Sequence, residues 1–322
     1  MAPLPSDCNS LCATRSWPRP ATSAQLWCFG IDGDVLHVSA DRSRALPTID
    51  PHGRELLISC AETVHLVRVA LQHFGYHPGI HVLPDLTGSP GLLAIVRLGQ
   101  RGEPPATRDL FDAMLARHSN RHPYHTRPVP DGELAGLAAA AAETAWLQPL
   151  TDRKTIAVAA DLIAEGDRIK WRGDVFRHEL AERTIPNRGR RRDGMPGYAF
   201  GVPGPLARLT PLSSGTSTWA GCAPVPIGRS PLTTPVLAVI GTAHDDPPAW
   251  MAAGQAMSHV LLRATAGGLA TSFLCQAIEV PAPRPRLASL LSGDGYLNCC
   301  YASATRAVHP TPRHDAHSAT LS

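Results

Sequence analysis

The chain has 322 residues, enough for one large domain or two ordinary ones. It is 43% hydrophobic and 18% charged, which supplies a core, and its net charge of +3 is too small to argue for nucleic acid as a partner. No apolar run reaches the ~18 residues that a membrane-spanning helix needs. The N-terminus also lacks the basic start and apolar segment of a secretory leader, so a cytoplasmic protein with no membrane contact is expected.

Residues 1–17 are rich in Pro, Ser and Cys, and disorder is expected there. Residues 53–74 carry the clearest helical period. Leu56, Cys60, Val64, Val67, Leu71 and Phe74 recur at i+3 and i+4 and form one apolar face, and Gly75 follows as a left-handed cap residue. Residues 80–84 and 92–98 read as strands, the second as the continuous apolar run of a buried sheet. Helices are expected over 106–116, 131–142, 152–170 and 174–183, with Ile156, Ala160 and Ile163 on one side of the third.

From 184 to 232 no period is sustained. The segment holds Arg188, Arg190, Arg191 and Arg192 among many Pro, Gly and Ser residues. A loop this long inside a domain is usually functional. Its arginine run is assigned to that loop or to the surface and not to DNA binding.

Residues 236–240 read as a short buried strand, followed by a second long helix over 247–267. Asp245 or Asp246 is placed to cap it, and a proline in the first turn is tolerated. Met257 and Leu261 lie on its face, and Ala252, Ala253, Gly254 and Ala256 leave room for close backbone packing. Residues 272–276 read as a strand, and the tail over 316–322 as disordered. The two long helices look like copies. Ala61-Glu62 matches Gly254-Gln255, and Gly75-Tyr76 matches Gly268-Leu269, at one offset of 193 residues.

Eight cysteines, at 8, 12, 28, 60, 222, 275, 299 and 300, form no disulfide framework, and Cys8 and Cys12 have no second pair at zinc-like spacing. Free thiols and no metal are expected. Adjacent Cys299 and Cys300, in a strand, would point to opposite faces. No Gly-x-Ser-x-Gly elbow and no Gly-x-Gly-x-x-Gly after a strand is present, so neither a serine hydrolase nor a Rossmann dinucleotide site is supported, and no catalytic residue is assigned.

Chemistry concentrates in Arg117-His118-Ser119-Asn120-Arg121, at a helix end before Pro123 and Tyr124. Arginine presents a planar fork of donors that matches phosphate oxygens two at a time, and Ser119 adds a neutral donor beside it. The cluster suits one phosphate and the polar edge of a planar ring. It is also what a solvated basic helix end looks like.

This stretch resembles the flavin-binding motif of the nitroreductase superfamily. His309-Pro310-Thr311-Pro312-Arg313 is similar to a late segment that closes on the same phosphate in that superfamily. Asp50-Pro51-His52-Gly53-Arg54-Glu55-Leu56, residues 41–47, Val129-Pro130 and residues 254–276 are similar to the Acg-type branch, actinobacterial proteins in which two nitroreductase halves are fused head to tail. The resemblance covers residues 18–315. Where the branch usually carries Asn-Ser/Thr-Gln-Pro-Trp, this chain reads Ser23-Ala24-Gln25-Leu26-Trp27, and where it has Val-Gly near the last strand, Ala302-Ser303.

The resemblance implies an α+β fold of nitroreductase type: two fused halves, 18–105 and 106–315, forming a monomeric pseudo-dimer around a central sheet and long core helices. It implies FMN as cofactor, with Arg117, Ser119, Thr311 and Arg313 at the phosphate and Arg121 at the pyrimidine edge. His118 and Ser23 are further contacts, and Cys275 and Gln276 present backbone N–H groups toward flavin N5. NAD(P)H is the implied electron donor, a nitroaromatic or quinone the implied small-molecule acceptor, and 184–232 a lid. The altered Ser23–Trp27 segment and the long lid admit an alternative, a catalytically weak protein that binds and sequesters FMN.

Overall fold

The computed structural model describes residues 26–85, 87–89, 91–103, 108–120, 124–185, 195–196, 234–292 and 295–305. The first half is a four-stranded antiparallel sheet with one long helix. Strands β1 (Trp27–Asp32) and β2 (Val35–Ala40) form a hairpin through a two-residue turn. Gly33, at φ 59°, takes the first central position, which a II′ turn reserves for glycine. Helix α1 (Arg54–His73) follows, then β3 (Gly79–Val82) and β4 (Leu92–Arg97), giving the sheet order β1-β2-β4-β3.

Helices α2 (Arg108–Ala116) and α3 (Asp131–Ala141) lead to the second half. It contains β5 (Trp146–Leu150), α4 (Arg153–Arg172), α5 (Asp174–Arg183) and a short parallel pair, β6 (Thr184–Ile185) with β7 (Met195–Pro196). Next come β8 (Val236–Thr242), α6 (Pro247–Ala266) and β9 (Leu269–Phe273). The short helices α7 (Gln276–Glu279) and α8 (Pro283–Ala288) then precede β10 (Tyr296–Thr305). The second sheet has the order β5-β8-β10-β9.

The two sheets share one topology: a strand pair, a long helix, then two strands of which the later one lies inside. Both long helices have 20 residues, and both their starts and their ends are displaced by 193 positions. Gly75 and Gly268 close them at φ 82° and 73°. The halves differ where α4, α5 and residues up to 235 stand between β5 and β8, in place of the turn that joins β1 to β2.

Burial explains the second sheet. Val236, Ala238 and Ile240 of β8 pack with α3 and α6, while Leu237 and Val239 pack with α4, α7 and α8 on the other face. Alternate side chains of a strand point to opposite faces, so a continuously apolar strand belongs between two layers. Cys299 and Tyr301 fall in the first of these clusters and Cys300 and Ala302 in the second, as the strand reading of the adjacent cysteines requires.

The halves meet along α1 and α6. At Gly254 a Cβ atom would lie 2.2 Å from the carbonyl oxygen of Ile58 and 2.6 Å from Cβ of Ala61, the residue one repeat earlier. One turn along, His65 Nδ1 lies 2.9 Å from Ser258 Oγ, again a pair related by the repeat. Burial pushes the His65 imidazole down to about 3, so it is neutral and its ring is part of the packing.

Candidate functional site

Helix α2 ends by donating Arg117 N–H to the Ala113 carbonyl at 2.8 Å. The Arg117 side chain turns inward, and its Nη2 lies 3.4 Å from Glu62 Oε1 on α1, with both side chains buried. The chain then extends. Ser119 forms a parallel bridge with Thr271, and Asn120 N–H donates to the Thr271 carbonyl at 2.7 Å. Residues 119–120 thus lie along the outer edge of β9, whose other edge pairs with β10. Tyr124 O–H donates to Ser272 Oγ at 2.7 Å, and burial raises that phenol above its usual range.

The structure therefore brings the arginine motif beside the strand that leads into Cys275 and Gln276. Exposed His118 has Nδ1 3.0 Å from the Ala116 carbonyl, a local contact at the helix end. Arg121, Ser23, Thr311 and Arg313 lie outside the described residues, as does the arginine run 188–192.

One local expectation is corrected. Residues 272–276 do not form one strand: β9 stops at Phe273, and Cys275 caps the short helix α7. The Cys275 carbonyl accepts from Ile278 and Glu279 N–H at 2.8 and 3.0 Å, so Gln-Ala-Ile-Glu takes the helical turn its residue types favour. Cys275 Sγ lies 3.6 Å from Cys299 Sγ and 3.5 Å from the Cys300 carbonyl. Gln276 Oε1 is sealed from solvent with no hydrogen-bond partner among the described residues. A buried acceptor left in that state costs about 1–3 kcal/mol, which a donor group on a ligand would recover.

The start of α1, from the first half, reaches this region. Arg54 Nη1 donates to the Leu297 carbonyl at 3.2 Å, and Arg284 Nη2 donates to the same oxygen at 2.8 Å. Arg54 also pairs with Glu55 at 2.6 Å. Burial, with the Glu279 carboxylate close by, pushes Glu55 up to about 7 even though Arg54 pulls it down. Its side chain keeps 29% of its exposure, so it remains reachable from solvent. Burial also raises Asp167 to about 6, while Lys170, ion-paired with Glu279, opposes the shift. Carboxyls held near neutrality by burial are the kind of groups that binding sites collect. Sequence reasoning missed Glu55, Glu62, Asp167 and Asn120. Glu62 and Asn120 meet partners remote in the chain, and the shifts of Glu55 and Asp167 come from burial that no local pattern marks.

A cleft of 580 Å³ opens elsewhere, where α2 and α3 face the end of α6, with Asp109, Glu133, His259 and Arg263 on its walls. None of the residues expected to bind a cofactor lines it. Among the described residues no helix is long and apolar enough to cross a membrane, and no cluster of three or more metal-ligating side chains occurs.

No family model matches the chain. Two curated relatives from Mycobacterium tuberculosis, provisionally named NAD(P)H nitroreductases Rv3131 (strain ATCC 25618 / H37Rv) and MT3217 (strain CDC 1551 / Oshkosh), are each 29% identical over 296 residues. The match covers 85% of this chain and 77% of each relative. Similar solved structures are more distant. A nitroreductase with bound FMN from Bacteroides fragilis is 16% identical with a TM-score of 0.36, over 67% of this chain and 99% of that one. The FMN- and NADPH-dependent nitroreductase NfnB of a Sphigopyxis strain is 18% identical with a TM-score of 0.37, over 61% and 87%. Over most of its length the chain is thus similar to proteins named as nitroreductases.

Proposed function

We propose that this protein is an FMN-dependent oxidoreductase of the Acg-type branch that oxidises NAD(P)H and reduces a nitroaromatic or a quinone. The observation that carries this reading is the meeting of Arg117–Asn120 with β9 immediately before Cys275 and Gln276. The names of the curated relatives support the same activity. The residues present fit FMN: the unpartnered Gln276 Oε1 is an acceptor for a ring N–H, and Arg117 and Ser119 supply anion donors along the edge of the strand that leads to it.

In this reading the phosphate is held by Arg117, Ser119, Thr311 and Arg313, with the Glu62 ion pair fixing the Arg117 guanidinium in place. Arg121 takes the pyrimidine edge, and His118 and Ser23 add outer contacts. Cys275 and Gln276 offer backbone N–H groups. When bound, the flavin supplies hydride transfer through N5. The chain's own task is to orient the ring, exclude water and hold protons, and Glu55 is the carboxyl nearest neutrality for that last role. The two fused halves supply both sides of the site, so a cytoplasmic monomer is proposed.

The insertion between β5 and β8 favours a second reading, in which the protein mainly holds FMN. Segment 184–232, outside the described residues except for β6 and β7, would act as a lid over the ring. Hydride transfer needs reacting atoms about 3–3.5 Å apart, and a covered ring denies the nicotinamide that approach. Slow NAD(P)H-dependent nitroreduction is therefore expected in steady state. Replacing residues 186–230 by a short Gly-Ser bridge should raise the rate while flavin stays bound. An ordinary rate of ~10 per second in the intact protein would rule out sequestration. A flavin-loaded deletion variant that still does not oxidise NAD(P)H would rule out the lid as the limit.

A further inference from the structure

We propose that Cys275 and Cys299 are a redox-active dithiol that closes into a disulfide by exchange with low-molecular-weight disulfides. Their sulfurs lie 3.6 Å apart, and the backbone explains why. The β9–β10 ladder pairs Phe273 with Tyr301, and Leu274 N–H donates to the Cys300 carbonyl at 2.8 Å. Just past the end of that ladder, where the chain turns into α7, the Cys275 side chain comes to lie beside that of Cys299 on β10.

The two thiols are unequal, which sets an order of events. Cys275 is partly exposed and Cys299 is buried. The hydrogen bond with Cys275, and then burial, keep the Cys299 thiol protonated well above the usual range. Cys275 is thus the sulfur that an external reagent meets as a nucleophile. Cys300 is also buried, but it packs in the cluster on the opposite face of the sheet and is not the partner of Cys275.

The chemistry balances without a further reactant. The Cys275 thiolate attacks one sulfur of R–S–S–R, the S–S bond breaks, and one thiolate leaves. Cys299 then gives its proton to solvent and attacks Cys275 Sγ, and the second thiolate leaves. Two cysteines are oxidised to one disulfide, and one small disulfide is reduced to two thiols. No step uses the flavin, so the inference stands or falls apart from the proposed cofactor.

The test treats the reduced full-length protein with a dipyridyl disulfide and maps the cysteine peptides by mass spectrometry. The expected product joins the peptides of Cys275 and Cys299, lighter by two hydrogens, with no pyridyl group on either. Cys299→Ser should leave Cys275 carrying a stable pyridyl adduct, Cys275→Ser should leave Cys299 unmodified, and Cys300→Ser should keep the link. A stable adduct on Cys275 in the unsubstituted protein, a link from Cys275 to another cysteine, or both thiols remaining reduced would each overturn the proposal.

Discussion

Gly254→Ala is expected to destabilise the protein by about 3 kcal/mol or more, against the intrinsic preference of the helix. In an exposed helix interior alanine is favoured over glycine by about 1 kcal/mol. At Gly254 the added methyl would lie 2.2 Å from the Ile58 carbonyl oxygen and 2.6 Å from Ala61 Cβ, so α1 and α6 must separate. Overpacking of a tight interior costs about 1–3 kcal/mol and sometimes more, and here the obstacle is backbone, which cannot swing away. Gly136→Ala on α3 is the control, because a Cβ there meets nothing within 4 Å. That variant should gain up to ~1 kcal/mol. Urea unfolding midpoints compare the two, and a Gly254→Ala protein as stable as the parent would show that the helices do not cross at this residue.

Arg117→Ala is expected to cost about 3–5 kcal/mol of stability, because it leaves the buried Glu62 carboxylate without its ion-pair partner. Much of that cost is the stranded charge. Replacing both members by apolar residues of similar volume, Arg117→Met with Glu62→Leu, should therefore recover most of the loss. Arg117→Lys should fall between, since an ammonium keeps the charge but loses the planar fork. Equilibrium unfolding of these proteins, with the single variants Arg117→Met and Glu62→Leu completing the cycle, gives the coupling. An Arg117→Ala variant within ~1 kcal/mol of the parent, the size of a surface ion pair, would mean that the pair is solvated and does not fix the motif.

What could be read from the chain divides along physical lines. The long helices were legible because twenty residues of consistent period, with Gly75 and Asp246 at their ends, outweigh local accidents. The repeat was legible from the offset between Ala61 and Gly254, and the structure puts those two residues against one another. The β1–β2 hairpin was missed because Gly30 and Cys28 interrupt any alternation. Strand β5 was missed because Pro149 argues against a strand, and β5 tolerates it as an edge strand of its sheet. In the site, Arg117 and Ser119 were marked by type and spacing alone. Glu62 was not, because an ion pair between distant positions leaves no local trace. Neither was the nearness of Cys275 to Cys299, which depends on the register of two strands and on the place where β9 ends.

The claim that this fold holds FMN by its terminal phosphate is tested most directly by titrating the purified protein, stripped of flavin, with FMN and with riboflavin while following flavin absorbance and fluorescence. Charge-assisted hydrogen bonds contribute about 1.5–3 kcal/mol each, so FMN is expected to bind at least ~10-fold more tightly than riboflavin. Equal affinity for the two, or no spectral change with either, would contradict the site.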